Sequence, residues 1–224
     1  MDHCRNFIPH LRVFCYCEEI SHNMKFFLRE HWIFTCIIAL FLLLRFSLLF
    51  TSQSHLDADE AVVGLMAKHI MERGEHPVFF YGLPYNGGAS VEAHLAALLS
   101  IPFGINCVTV KASAFFLSIA LLFITYLFCL RYLGKTAANI ASLLLITAEP
   151  LIAWNLKARG GYLETMIFSI LIPLVAFRIF YQREKSLRIY AILGFLCGCA
   201  LWCQEMCLSI LAAIFLFWLL LDKA

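Results

Sequence analysis

Asp57, Asp59 and Glu60 put three carboxylates into four residues, directly after a long apolar run. Carboxylates so close together can serve as a general base with an orienting partner, or as hard oxygen ligands for Mg²⁺ or Mn²⁺. In extended chain Asp57 and Asp59, two residues apart, share one side and can chelate. Once a helix begins, Asp59 and Glu60 point about 100° apart. A structural reading stands beside the chemical one. Asp57 followed three residues later by Glu60 fits a capping box, and acidic groups suit the positive end of a helix dipole. The motif is thus either a helix cap or a catalytic carboxylate cluster at a membrane surface, and the elements that position it must decide.

Those elements are set by composition. The 224 residues are 62% hydrophobic, 15% aromatic and only 14% charged, with a mean hydropathy of +0.82. Soluble domains carry about 45–50% apolar and about 25% charged residues, so a single water-soluble core cannot absorb this chain. The expected fold class is an all-α polytopic membrane protein. A net charge of +2 and the lack of a basic, aromatic patch argue against a nucleic-acid partner. Ten cysteines are present, but Cys36, Cys129, Cys197 and Cys199 lie inside apolar runs, where Cys acts as a small hydrophobe. Near the N-terminus Cys4, Cys15 and Cys17 with His3, His10 and His22 match no zinc spacing.

Residues 1–31 are expected to be a cytoplasmic segment, with Met24 an alternative start ahead of Lys25–Arg29. Residues 32–51 have the roughly 20-residue length of a first span; Arg45 within them is a functional candidate or a side chain that snorkels to the interface. Residues 52–106 form a loop. In it Glu60–Arg73 reads as an amphipathic helix stopped by Gly74, followed by an aromatic Pro/Gly stretch and a second short helix over Ala89–Ile101 carrying Glu92 and His94. Both helices are expected to lie in the membrane interface. Residues 107–224 then supply five more spans, near Val108–Leu130, Thr136–Ala153, Tyr162–Phe180, Leu187–Cys203 and Met206–Leu221, for about six in all. The connectors Arg131–Lys135 and Arg178–Arg188 are short and basic, which puts them and the N-terminus in the cytoplasm and the 52–106 loop outside. With that topology Lys111, Glu149, Lys157, Arg159, Glu164, Gln204 and Glu205 all fall at outer span ends.

Asp57-Ala58-Asp59-Glu60-Ala61, then His76-Pro77-Val78-Phe79-Phe80-Tyr81-Gly82-Leu83-Pro84-Tyr85, then Val91-Glu92-Ala93-His94-Leu95-Ala96-Ala97 resemble the first outer loop of type C membrane glycosyltransferases. The group approached most closely is the dolichyl-phosphate-mannose–protein mannosyltransferase-like proteins and the related aminoarabinose transferases. Lys157-Ala158-Arg159-Gly160-Gly161-Tyr162-Leu163-Glu164 is similar to that group's second outer loop, and the resemblance covers residues 32–221. It implies transfer of a sugar from a polyprenyl-phosphate carrier to a lipid, glycan or protein acceptor, at the periplasmic face of a bacterial inner membrane. In that setting Asp57 or Asp59 serves as the base, with Glu60 orienting it or helping Asp57 and Asp59 hold Mg²⁺ or Mn²⁺. Lys157 and Arg159 meet the donor phosphate, where Arg offers a bidentate contact that Lys cannot. Glu92, His94 and Glu164 are weaker substrate-binding candidates, equally readable as solvated interfacial residues, while Tyr81 and Tyr85, also weak candidates, read as interfacial anchors more than as sugar platforms. Members of the group are usually much longer, so this chain reads as an N-terminal half that works with a missing C-terminal part. A different class remains open: a non-catalytic subunit or transporter fragment that binds a lipid-linked sugar, with Pro150 and Pro173 interrupting apolar runs.

Overall fold

The computed structural model describes residues 29–52 and 56–221. Cys4, Cys15, Cys17, His3, His10 and His22 lie outside the described residues. Among the described residues the fold is all-helical, with nine helices and no strand. They are α1 (Trp32–Thr51), α2 (Ala58–Arg73), α3 (Gly88–Phe103), α4 (Cys107–Tyr132), α5 (Lys135–Thr147), α6 (Glu149–Trp154), α7 (Tyr162–Phe180), α8 (Leu187–Cys203) and α9 (Cys207–Leu221). The chain divides into two compact units, one ending at Leu42 and one beginning at Leu43. All site residues belong to the second. Three helices, α1, α4 and α7, are long and apolar enough to cross a bilayer, whose hydrocarbon core takes about 20 helical residues.

Local chemistry explains the helix ends around the site. At α2 Asp57 is the N-cap in extended conformation: its carboxylate accepts from the Glu60 amide at 3.0 Å, and Glu60 returns the favour to the Asp57 amide at 3.1 Å. Gly74 closes the helix in the left-handed region (φ 65°), donating its N–H to His69, a conformation glycine takes without a Cβ penalty. The helices expected over Glu60–Arg73 and Ala89–Ile101 are therefore present, the first longer by two residues at its start, the second by one at its start and two at its end. α4 begins with a second capping box, Asn106 with Thr109. α2, α3 and α4 close around Val63, Met66, Ala89, Ala93, Val110 and Ala158, all buried. Alanines at 89, 93, 96 and 97 give α3 a small-residue stripe at three- and four-residue spacing, which lets neighbouring backbones come close.

One expected span is different. Thr136–Ala153 is not a single helix but two, α5 and α6, separated at Ala148, whose backbone is extended. Pro150 supplies the reason: it has no N–H to give the carbonyl four residues back, which is that of Ile146. The vacated Ile146 carbonyl accepts from Arg45 Nη2 at 2.9 Å. Arg45 is only 1% exposed, so it does not snorkel; its guanidinium replaces the hydrogen bond that proline removes. The soft boundary near Gln204-Glu205 is a real break, with Gln204 extended between α8 and α9.

Candidate functional site

The acidic motif is dismantled into three different environments. Glu60 is fully buried and forms an ion pair with Lys111, whose Nζ lies 2.8 and 3.0 Å from its two oxygens. Since Glu60 also accepts from the Asp57 amide, it acts as an internal tie between α2 and α4 and is not available as a base. Asp57 caps α2 with one oxygen, while the other receives Arg159 Nε at 2.6 Å, a second Arg159 nitrogen, and Lys157 at 3.5 Å. Burial pushes the Asp57 carboxyl up, but the Glu60 amide, the Arg159 guanidinium and Lys157 outweigh it and hold the group below its ordinary value. Asp59 is exposed in the first turn of α2 and has no ion pair or side-chain hydrogen bond among the described residues. Of the three it is the carboxylate left to meet a ligand.

The basic pair comes from the turn between α6 and α7. Arg159 also stands over the Trp154 ring at 5.0 Å, and Trp154 packs on Tyr162 at 4.7 Å, so aromatic surface holds the guanidinium in place. Lys157, Arg159 and Asp57 keep about a third or less of their side-chain surface exposed. Phosphate recognition by this pair would therefore occur at a half-open surface.

Gly160 and Gly161 make the turn possible. Both have positive φ (76° and 86°), and a Cβ on Gly161 would come within 2.7 Å of the Cys203 carbonyl. A Cβ on Gly88 would land on the Gly161 backbone itself. The first loop and the α6–α7 turn thus approach to a distance that only hydrogen side chains permit. The Gly87 amide donates to the Trp202 carbonyl at 2.9 Å, adding the end of α8 to the same junction. At this junction Glu92, 1% exposed, accepts the Gly160 amide at 2.6 Å. Burial first, and then the nearby Glu164 carboxylate, push the Glu92 carboxyl well up; the Gly160 amide opposes them. Glu164 is 4% exposed and faces the backbone amides of Gly161 and of its own residue, with no basic side chain paired to it among the described residues.

The remaining candidates have other attachments. Tyr81 donates to Glu75 at 3.0 Å and meets His69 Nδ1 at 3.0 Å. His94 contacts the Ser90 carbonyl through Nδ1 at 2.7 Å and His76 through Nε2 at 3.1 Å. Because a carbonyl only accepts, it is the Nδ1–H of His94 that donates to Ser90. Tyr85 is exposed. The expected Asp57–Asp59 metal pair does not form a chelating set: Asp57 is engaged by two cations, and among the described residues no group of three or more His, Cys, Asp or Glu side chains gathers around a metal position. Sequence reasoning missed Asn86, and it placed Lys111 at an outer span end without its partner. Lys111 had a signal, a basic residue one turn into an otherwise apolar helix; its partner lies 51 positions away.

Comparison with family models, with curated proteins and with solved structures finds no match. The class of protein that fold and composition define is an all-helical chain with several helices able to cross a membrane.

Proposed function

We propose that the chain is the donor-binding part of a membrane glycosyltransferase that moves a sugar from a polyprenyl-phosphate carrier to an acceptor outside the cytoplasm. In this reading α1, α4, α7, the broken pair α5–α6, and α8 and α9 cross the bilayer, about six passages in all. The basic connectors Arg131–Lys135 and Arg178–Arg188 face the cytoplasm. α2 and α3 lie at the outer interface. The observation that carries the reading is the meeting of Asp57 with Arg159 and Lys157, 102 and 100 residues away, beside an exposed Asp59. Two cations at a membrane surface suit a lipid phosphate, and a carboxylate two residues from their resident anion suits an acceptor hydroxyl.

The steps follow from these roles. The donor phosphate takes the Arg159 and Lys157 contacts that Asp57 holds in its absence. Asp59 accepts the proton of the acceptor hydroxyl, whose oxygen attacks the anomeric carbon. The bond from that carbon to the phosphate oxygen breaks, and the electron pair leaves on the polyprenyl phosphate, stabilised by the two cations. Glu60 and Lys111 fix α2 against α4, so that Asp59 and the cations keep their separation.

Binding of a radiolabelled polyprenyl-phosphate sugar to the purified protein tests the phosphate contact. Arg159→Lys, which retains charge and loses the fork, and Lys157→Ala are both expected to weaken it; unchanged binding in both would remove the role. Orientation has its own check. A cysteine replacing His76, in a background cleared of reactive cysteines, is expected to label from outside the cell, and labelling only from the cytoplasm would invert the topology.

A second reading is a transporter-type subunit, favoured by the helix broken at Ala148 with the buried Arg45 beside it. There Arg45→Leu would abolish substrate passage. In the transferase reading it only loosens the α5–α6 break.

A further inference from the structure

The loop over residues 74–87 is tied to its two flanking helices in different ways. Toward α2 the ties are charged: Glu75 lies 3.5 Å from His69 and 3.5 Å from Arg73, and it accepts from Tyr81, which also meets His69. Toward α3, among the described residues, the loop has one side-chain hydrogen bond, between His76 Nδ1 and His94 Nε2 at 3.1 Å. The two rings are 9° from parallel, with centroids 5.4 Å apart. The centroids are thus farther apart than the nitrogens by a full ring width, so the imidazoles meet edge to edge across one proton. The Ser90 carbonyl fixes the His94 ring in this orientation, because it takes the Nδ1–H at 2.7 Å. Neither His76 nor His94 belongs to an ion pair among the described residues. The charged groups of α3 and of the last turns of α2 are engaged elsewhere: Glu92 with the Gly160 amide, Lys68 with Glu72, and Arg73 with Glu75.

We propose that His76 and His94 form a proton-operated clasp, which holds the start of the 74–87 loop on α3 and releases it when both imidazoles are charged. With one proton between the two nitrogens, either ring can donate while the other accepts. Charging one ring leaves that arrangement intact. Charging both puts two N–H groups head to head at 3.1 Å and two like charges beside each other, so the contact survives the first charge and fails with the second. Histidine is the side chain whose ordinary charge change falls between about pH 5 and 8, which sets the range over which the clasp opens. Acid acts in the opposite sense on the α2 side. The Tyr81 hydrogen bond above all, with His69 and Arg73, holds the Glu75 carboxyl below its ordinary value, so Glu75 stays charged while His69 gains charge beside it. Phe80 and Tyr81 keep their packing on the Val63 and Met66 core, and the Gly87 N–H holds the far end of the loop on the Trp202 carbonyl at 2.9 Å. The part that moves therefore lies around His76 and Val78. The clasp needs no part of the sugar-transfer reading.

The test uses the purified full chain in detergent, cleared of reactive cysteines, with a nitroxide spin label on a cysteine replacing Val78, which is 57% exposed. EDTA keeps adventitious metal off the imidazole pair. The paramagnetic resonance spectrum separates immobile from mobile label and, unlike amide exchange, carries no pH dependence of its own. With both histidines present the ratio of immobile to mobile label should fall about tenfold between about pH 7.5 and about pH 5. His76→Gln and His94→Gln should each abolish that transition, since a glutamine amide bonds to the remaining ring without charging. His69→Gln should keep it. His76 is exposed, so His76→Gln is not expected to disturb folding, and circular dichroism checks this. A spectrum that does not change with pH when both histidines are present overturns the inference. A transition that survives in both His76→Gln and His94→Gln, or that is lost in His69→Gln, places the response on another group and overturns it equally.

Discussion

Glu60 and Glu164 are both buried carboxylates near helix starts, and the fold treats them oppositely. Glu60 has a buried lysine set across both oxygens and a backbone amide besides. Glu164 and Glu92 meet backbone amides only, and neither is paired with a basic side chain among the described residues. The first arrangement is electrostatically closed and holds α2 on α4 whether or not any ligand is present. The second is open, with charge that the protein itself does not balance. Burial alone therefore does not tell how a carboxylate is held at this end of the molecule; the distinction lies in which carboxylates the chain has supplied with cations.

Lys111→Met turns the closed arrangement into an open one. Removing one partner of a buried ion pair leaves the other charge uncompensated and costs about 3–5 kcal/mol, readable as a fall in unfolding midpoint in detergent. The double variant Glu60→Gln/Lys111→Met should recover much of that loss, and no recovery would show that Lys111 serves something besides Glu60. The converse change, Glu92→Gln, makes the open arrangement neutral. Because the folded Glu92 carboxyl is raised above its ordinary value, its contribution is fully present below that ordinary value and is lost as pH rises through the raised one. The wild type should therefore lose stability relative to Glu92→Gln as pH is raised from 4 toward 9. Parallel profiles would remove the repulsion from the argument.

Smaller effects test the frame around the two sites. Gly161→Ala forces a side chain into the left-handed region against the Cys203 carbonyl, at a cost of roughly 1–3 kcal/mol in the backbone, and should weaken donor binding. At Asp57 the cap and the ion pair can be separated. Asn caps about as well as Asp and Ala does not, a difference of about 1 kcal/mol, so Asp57→Asn should keep more helix stability than Asp57→Ala. Both variants free Arg159. Since Asp57's folded value is depressed, its stabilising share exists above the ordinary Asp range and disappears as pH falls through the lowered value. Acid unfolding of Asp57→Asn should accordingly show a shallower dependence below pH 4.

Much of this was legible in the chain. The capping box at Asp57 and Glu60, the Gly74 stop and the apolar helices follow from local patterns, and local patterns are what one sequence contains. Pro150 announced a break, yet the run Thr136–Ala153 read as one span because hydropathy does not register a missing N–H. Arg45 read as a functional candidate or a snorkelling residue for a related reason: the carbonyl that receives it is orphaned by a proline 105 residues later. The Glu60–Lys111 pair and the Glu92–Gly160 bond join residues 51 and 68 apart, and no spacing rule predicts such meetings. The acidic motif could be found in sequence, but its division into cap, tie and exposed carboxylate could not, because that division depends on which side chain each cation reaches.

The central proposal assigns the acceptor's proton to Asp59, the one carboxylate of the motif that the fold leaves exposed and unengaged among the described residues. Transfer of labelled sugar from a polyprenyl-phosphate donor, measured with wild type and Asp59→Asn alongside any partner chain the activity requires, tests it directly. Wild type should transfer, and Asp59→Asn should be slower by about 10²–10⁴ with donor binding unchanged. Near-normal transfer by Asp59→Asn, or no transfer by the wild type under conditions where it binds the donor, would contradict it.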